Sequence, residues 1–148
     1  MKKKHIPSSG GFRWRGVPVH DYKAEGDHFR DITRQVLFED PEGIGCELRY
    51  FEVLRGGHST LEKHEHVHLV VIVRGSGLAV VGDEVLGVAT HDVVHVPPQT
   101  WHQFLASENE PLGFLCLVRC DRDRPARPTE EELDSLRRHP VVGPVIRA

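Results

Sequence analysis

Short apolar-rich runs, punctuated by Gly, Pro, Asn and Asp, fill the chain between residues 33 and 118. The run 33–38, Thr33-Arg34-Gln35-Val36-Leu37-Phe38, predicts a strand closed by the turn signal Glu39-Asp40-Pro41-Glu42-Gly43. Alternation over 46–54 places Cys46, Leu48, Tyr50, Glu52 and Leu54 on one face of a second strand, which Gly56-Gly57 is expected to end. Runs 59–64 and 68–74 read as two strands around a short turn, and Gly75-Ser76-Gly77 as another turn. Strands 78–81 and 84–88 flank Gly82-Asp83, a compact hairpin connection. Strands 93–97, 101–105 and 112–118 complete the series, with Pro97-Pro98-Gln99-Thr100 turning the chain between the first two. Many short strands at close spacing predict an antiparallel barrel or sandwich.

The flanks differ from this core. Residues 1–11 are basic and then Gly/Ser/Pro-rich, which predicts a flexible N-terminal arm. Phe12-Arg13-Trp14 and Val17-Pro18-Val19 are expected to form an edge strand, because Pro18 cannot donate to a central ladder. After the charged linker Asp121-Arg122-Asp123-Arg124-Pro125, Thr129 and Glu132 have the spacing of a capping box. Leu133 and Leu136 give the helix that follows a modest apolar face, and His139-Pro140 ends it. The expected organisation is an arm over 1–11, a β-barrel over 12–120, and a linker with a short helix over 121–148.

Composition narrows the class without naming an activity. The chain has 148 residues, 39% hydrophobic and 28% charged, the size and balance of one globular domain. Its formal net charge of −3 gives no electrostatic reason to expect nucleic acid or an anionic membrane as partner. No apolar run approaches the ~18 residues of a membrane span, and the basic start lacks the apolar stretch of a signal peptide. The expected location is cytoplasmic. Cys46, Cys116 and Cys120 form no Cys-x-x-Cys pair and sit mostly among apolar residues, so they read as buried free thiols.

Histidine is where the chemistry concentrates. Of the eleven in the chain, His58, His64, His66, His68, His91, His95 and His102 lie within one central stretch. Neutral imidazole and carboxylate are standard ligands for divalent metals. In a strand, Glu62 and His64 project from the same face and can reach one ion. His68 opens the next strand across the turn, and His102, held between Trp101 and Phe104 after the Pro-Pro corner, is the best candidate for a fourth ligand. Alternative readings stand beside these. Glu62 could serve a salt bridge, and His66 reads as a solvated turn residue. His58 shares parity with Glu62 and His64 and either lines the cavity or lies exposed. His95 reads as a hydrogen-bonded wall residue, and His91 as exposed.

At these residues the chain resembles the cupin family. Counting back six residues from Gly75 puts His68 at the position of the family's Glu, His64 at its second His and Glu62 at its first. Relative to the family pattern, the Glu and one His have exchanged places. In the second motif His91 stands at the Gly position, Pro97 at the Pro, Gln99 at the second Gly, His102 at the ligand His and Ala106 at the Asn. Gln is poor at positive φ, so Gln99 is expected to require a different turn. A register built on His64-x-His66 instead meets Val70 where the family has Glu. The resemblance spans about residues 33–118. It implies an all-β, cupin-type antiparallel barrel (a double-stranded β-helix or jelly roll) with a short C-terminal helix, commonly a homodimer.

It also implies one divalent transition metal, Mn, Fe, Ni or Zn, held by Glu62, His64, His68 and His102, acting on a small oxygen-chelating molecule. His58, His66 and His95 are outer-shell acid/base candidates. Dioxygenase or other oxidoreductase chemistry is the expected activity. A metal-dependent isomerase or decarboxylase, a non-catalytic ligand-binding or sensor module, and a closed structural metal site are the alternatives.

Overall fold

The computed structural model describes residues 3–23 and 25–148, so Met1 and Lys2 of the expected arm lie outside it. The described residues form β1 (Ser8–Gly10), β2 (Arg13–Trp14), β3 (His20–Asp21), β4 (Arg30–Glu39), β5 (Cys46–His58), β6 (His68–Val81), β7 (Glu84–Ala89), β8 (Val93–Val96), β9 (His102–Ala106), β10 (Leu112–Arg119) and α1 (Glu130–Arg138). Two long strands, β5 and β6, organise the rest. Strand β10 pairs antiparallel with both of them, and so does β9, through His58 opposite Leu105 on one side and Gly77–Val81 on the other. Those pairings close the sheet into a barrel. Strands β4 and β3 extend it beyond β5, while β7 and β8 pair along the other side of β6. The antiparallel barrel expected from the short apolar runs is the observed fold. Among the described residues, no helix is long and apolar enough to cross a membrane.

Several element boundaries differ from expectation. Gly75-Ser76-Gly77 is not a turn: β6 runs straight through it and exchanges neighbours there, pairing with β10 up to Gly75 and with β9 from Gly77. Gly75 has φ +68°, and a Cβ at that position would collide with the carbonyl oxygen of Pro111, so only glycine fits. Strand β5 likewise continues through Gly56-Gly57 to His58. Residues 59–64 do not form a full strand. They contribute only isolated bridges, Glu62 with His102 and Lys63 with Ala126. Gln99 adopts φ +51°, so it accepts the left-handed turn that its side chain was expected to forbid. Its N–H donates to the carbonyl of His64 at 2.7 Å, which helps hold that conformation.

Both faces of β5 are covered. Inward, Phe51 stacks on Phe114, and Phe114 on Phe104, within a cluster that includes Val53, Val70, Ile72, Val96 and Leu112. Each fully buried side chain of this kind contributes roughly 1.5–3 kcal/mol. Outward, the β1–β2 hairpin lies over Tyr50 and Glu52. Phe12 stacks on Tyr50, Trp14 meets it edge-on, Arg13 pairs with Glu52 at 3.0 Å, and Gln35 donates to the Phe12 carbonyl at 3.0 Å. Of the expected edge strand, Arg13–Trp14 pairs in the hairpin and Val17–Val19 is irregular; the short strand beside β4 is His20–Asp21 instead.

At the other end, α1 begins with the capping box that the spacing of Thr129 and Glu132 predicts. Its Leu133 and Leu136 pack on a second apolar cluster of Leu61, Val80, Leu105, Val142 and Ile146. Lys63 pairs with Glu132 at 3.1 Å and lies 4.3 Å from the centre of the Trp101 ring. The segment that carries Glu62 and His64 is thus braced from outside the barrel by the C-terminal region.

Candidate metal centre

The segment after β5 has no ladder of its own, so its backbone is fixed by single contacts. Glu62 and His102 exchange backbone hydrogen bonds at 3.2 and 3.0 Å, and Lys63 and Ala126 exchange theirs at 3.0 and 2.9 Å. These contacts deliver His64 to the mouth of the barrel beside His68, the first residue of β6, and His102, the first of β9. One ring nitrogen from each of the three lies within 4.8 Å of the others. The Nε2 atoms of His64 and His68 are only 2.8 Å apart.

Hydrogen bonds set the direction of the lone pairs. Nδ1 of His64 faces the His66 carbonyl at 2.7 Å, and Nδ1 of His102 faces the Thr100 carbonyl at 2.9 Å. A carbonyl only accepts, so both Nδ1 atoms carry the proton and leave Nε2 as a bare lone pair. Burial, followed by the neighbouring His102 and His66, pushes His64 down from 6.5 to about 4. Burial also lowers His68, reinforced by His102 and His64, and it lowers His102. Neutral imidazoles with nitrogens drawn together, two of them buried and His68 half-buried, are a donor set for a divalent cation, so these residues fit the metal that the family resemblance implies.

Glu62 lines the same cavity but is not part of that three-histidine group. Its carboxylate accepts from Lys23 Nζ at 2.7 Å. His66 differs from the solvated turn residue expected for it. It is buried, and its ring lies parallel to that of His64 at 3.5 Å between centres and 4° between planes. Asp123, from the linker after the barrel, fixes this arrangement. Its carboxylate accepts from the Glu65 N–H at 2.8 Å, the His66 N–H at 3.1 Å and His66 Nδ1 at 2.7 Å. Those bonds hold Asp123 well below the usual carboxylate range. A second grouping with metal-binding geometry, His64, His66 and Asp123, shares His64 with the first.

The structure does not bring His58 or His95 to the three-histidine group. His58 Nδ1 lies 3.1 Å from the Ser59 carbonyl, and the residue borders other grooves near the C-terminus. His95 is exposed on the outer face of β8, and His91 is exposed at φ +80°.

Cys116 is the site residue that sequence reasoning missed. It is a buried free thiol, as its apolar neighbours predict, but its Sγ lies 2.9 Å from His68 Nδ1 and 3.7 Å from Arg49 Nη2. Burial pushes its pKa up, and Arg49 works in the opposite direction. The signal was the parity of β10: Phe114, Cys116 and Val118 alternate on the inward face.

The cavity that these residues enclose has a volume of about 240 Å³. Its walls include Phe51, Phe104 and Phe114, with Lys23, Arg34, Arg49 and Arg122 as cationic groups and Glu62 as the carboxylate.

Comparisons with known proteins agree with this geometry. A family model described as a cupin domain matches residues 49–118. The chain is 51% identical over 138 residues to 1-methylthio-D-xylulose 5-phosphate methylsulfurylase of Rhodospirillum rubrum, covering 93% of this chain and 88% of that protein. A cupin 2 conserved barrel domain protein from Rhodopseudomonas palustris superposes with a TM-score of 0.91 at 47% identity, over 97% of this chain and 99% of that one. A cupin-2 domain protein of Rhodospirillum rubrum superposes with a TM-score of 0.81 at 50% identity, over 91% and 90%. With the closed antiparallel barrel and the histidine cluster at its mouth, these matches establish that the chain belongs to the cupin family.

Proposed function

We propose that this protein is a metal-dependent enzyme that acts on a small phosphorylated ketose bearing a methylthio group, the substrate class named for its Rhodospirillum rubrum relative. The observation that carries this reading is the contact between Cys116 Sγ and His68 Nδ1 at 2.9 Å inside the cavity. Chemistry at a methylthio group calls for a sulfur-reactive side chain beside the group that activates the sugar. Here a thiol touches a candidate metal ligand. A divalent ion on His64, His68 and His102, whether Mn, Fe, Ni or Zn, would supply Lewis acidity to a ketose oxygen. Glu62 is the fourth donor in this reading, in competition with Lys23, and Lys23 in turn keeps the carboxylate inside the cavity. The buried walls exclude bulk water from the reacting end of the ligand.

Dioxygenase chemistry rests on the ligand class alone, whereas the thiol and the named relative favour the sulfur reading. The test is to incubate the metal-loaded protein with 1-methylthio-D-xylulose 5-phosphate, with and without an added small-molecule thiol, while following the sugar phosphate and dissolved oxygen. The expected result is transfer of the methylthio sulfur to the Cys116 thiol as a methyl disulfide, with a C–H bond replacing the C–S bond on the sugar, so that turnover beyond one equivalent requires the added thiol and consumes no oxygen. An unchanged substrate in both mixtures overturns the reading.

The outer face of β6, β8 and β10 supports a homodimer. Leu69 and Val71 lie beside Leu117 and Val93 in the ladder registers, and all four are exposed. A contiguous apolar patch of this kind is the usual mark of an association surface. Sedimentation equilibrium should give twice the chain mass, and Val71→Glu should return the protein to a monomer.

A further inference from the structure

We propose that Arg34, backed by Arg49, forms an anion subsite in the metal cavity that binds the phosphate monoester of the substrate. The assignment rests on the ketose-phosphate reading for its choice of ligand, but the observations that carry it are separate from the metal and the thiol.

Strand pairing sets the two arginines side by side. Arg34 on β4 is opposite Phe51 on β5, and Val36 is opposite Arg49, so Arg34 and Arg49 are diagonal neighbours on one face. Both line the cavity. Across β5 the same rows continue onto β10, where Phe51 faces Phe114 and Arg49 faces Cys116. The inward face therefore carries, in sequence, the metal-site residue His68, the thiol of Cys116, Arg49 and then Arg34.

The pairing of the cavity's cations is uneven. Lys23 donates to Glu62 at 2.7 Å, and Arg122 donates to Glu47 at 3.4 Å and to the Arg119 carbonyl at 2.9 Å. Arg49 is buried, lies 4.9 Å from the centre of the Phe51 ring, and reaches polar partners loosely, 3.5 Å to Glu47 and 3.7 Å to Cys116 Sγ. Among the described residues, the Arg34 side chain makes no hydrogen bond or ion pair, and its Nε is buried without a partner. The Nε of Arg49 also lacks a hydrogen-bond partner. Buried donors without partners are rare in folded proteins because desolvation is not repaid. They persist where a ligand completes them. A guanidinium offers a planar fork of N–H groups that matches phosphate oxygens, which makes two adjacent arginines a fitting receptor for a phosphate. The order along the wall also matches the ligand. A methylthio-pentulose phosphate carries its sulfur on the first carbon and its phosphate on the fifth, and the thiol and Arg34 are separated in the same sense.

The test compares binding of D-xylulose 5-phosphate and of unphosphorylated D-xylulose to the metal-loaded protein by calorimetry. The wild type should prefer the phosphate by at least about tenfold, the scale of a charge-assisted bidentate contact. Arg34→Met should bring that preference close to one while metal content is kept and thermal stability is held or raised, since an unpaired buried cation is removed. Arg34→Lys keeps the charge and loses the fork, so it should fall between the two; it also carries the test should the Met variant fold poorly. An unchanged preference in either variant, or no preference in the wild type, overturns the subsite. The two proposals fail separately. Arg34-dependent phosphate binding without turnover of the methylthio substrate leaves the subsite standing and removes the sulfur reading. Turnover with an Arg34-independent phosphate preference does the reverse.

Discussion

Nε2 of His64 and Nε2 of His68 lie 2.8 Å apart, although the two residues sit on opposite sides of the turn that precedes β6. With His64 Nδ1 donating to a carbonyl, its Nε2 is a lone pair aimed at its neighbour. A cation shared with His102 would use both nitrogens. Elemental analysis of the purified protein should find about one transition-metal ion per chain, the stoichiometry of a mononuclear site. His64→Ala combined with His102→Ala should reduce that to background. Full metal retention in the double variant would show that the ion binds elsewhere.

Asp123 is the positioning residue of this centre. It touches no ligand nitrogen of the three-histidine group, yet it accepts two backbone N–H groups and the His66 ring across 57 or 58 residues of sequence. Through the His64–His66 stack it holds His64 in place. Asp123→Ala should weaken metal affinity by roughly ten- to a hundredfold, as loss of a partner behind a ligand commonly does. Asp123→Asn keeps an acceptor and should lose less. Competition with a coloured chelator measures both, and equal affinities in all three proteins would rule out the positioning role.

The spacing of His64, His68, Gly75 and His102 made the barrel and most of its centre legible in the sequence. Strand parity carried the barrel, and the resemblance to the cupin motifs, anchored on Gly75, carried the choice of histidines. What was not legible depends on contacts distant in the chain. His66 reads as a turn residue until Asp123 folds back over it. Cys116 reads correctly as a buried thiol, but only the register of β10 against β5 and β6 brings it to His68. Gly75-Ser76-Gly77 and Gly56-Gly57 look like turns because glycine ends most strands. In this barrel they lie where long strands bend or exchange partners.

Cys116 separates metal binding from turnover. Cys116→Ala removes a sulfur from a wall that keeps its aromatic neighbours, and should cost on the order of 1–2 kcal/mol in stability through the small cavity left behind. Metal content should be unchanged, because His68 keeps its Nε2. Loss of the methylthio group from substrate should fall by at least about a hundredfold, the scale expected when a reacting nucleophile is deleted. Steady-state kinetics alongside metal analysis reads both effects. Wild-type rates in this variant would remove Cys116 from the reaction.

Protonation offers a probe of the centre in protein stripped of metal. His64 has an ordinary pKa of 6.5, lowered to about 4 in the fold by burial and by the neighbouring imidazoles. Between those values the unfolded chain binds a proton that the folded His64 refuses, so acidification favours unfolding. Stability should therefore be level above about pH 7, fall as the pH drops through 6.5, and level off for this residue near pH 4. His68 and His102 shift in the same direction and add to the slope. Asp123 acts elsewhere: its lowered pKa contributes stability above the unfolded carboxylate value near ~3.9, and that contribution is lost only as the pH falls below it. About 2 kcal/mol should disappear by pH 5 on account of His64 alone, with the other two histidines adding to that, measured by urea unfolding at pH 7.5, 6 and 5. His64→Gln should flatten the slope, since glutamine has no proton to gain. A metal-free protein equally stable at all three pH values would mean that the imidazoles are not held neutral by the fold.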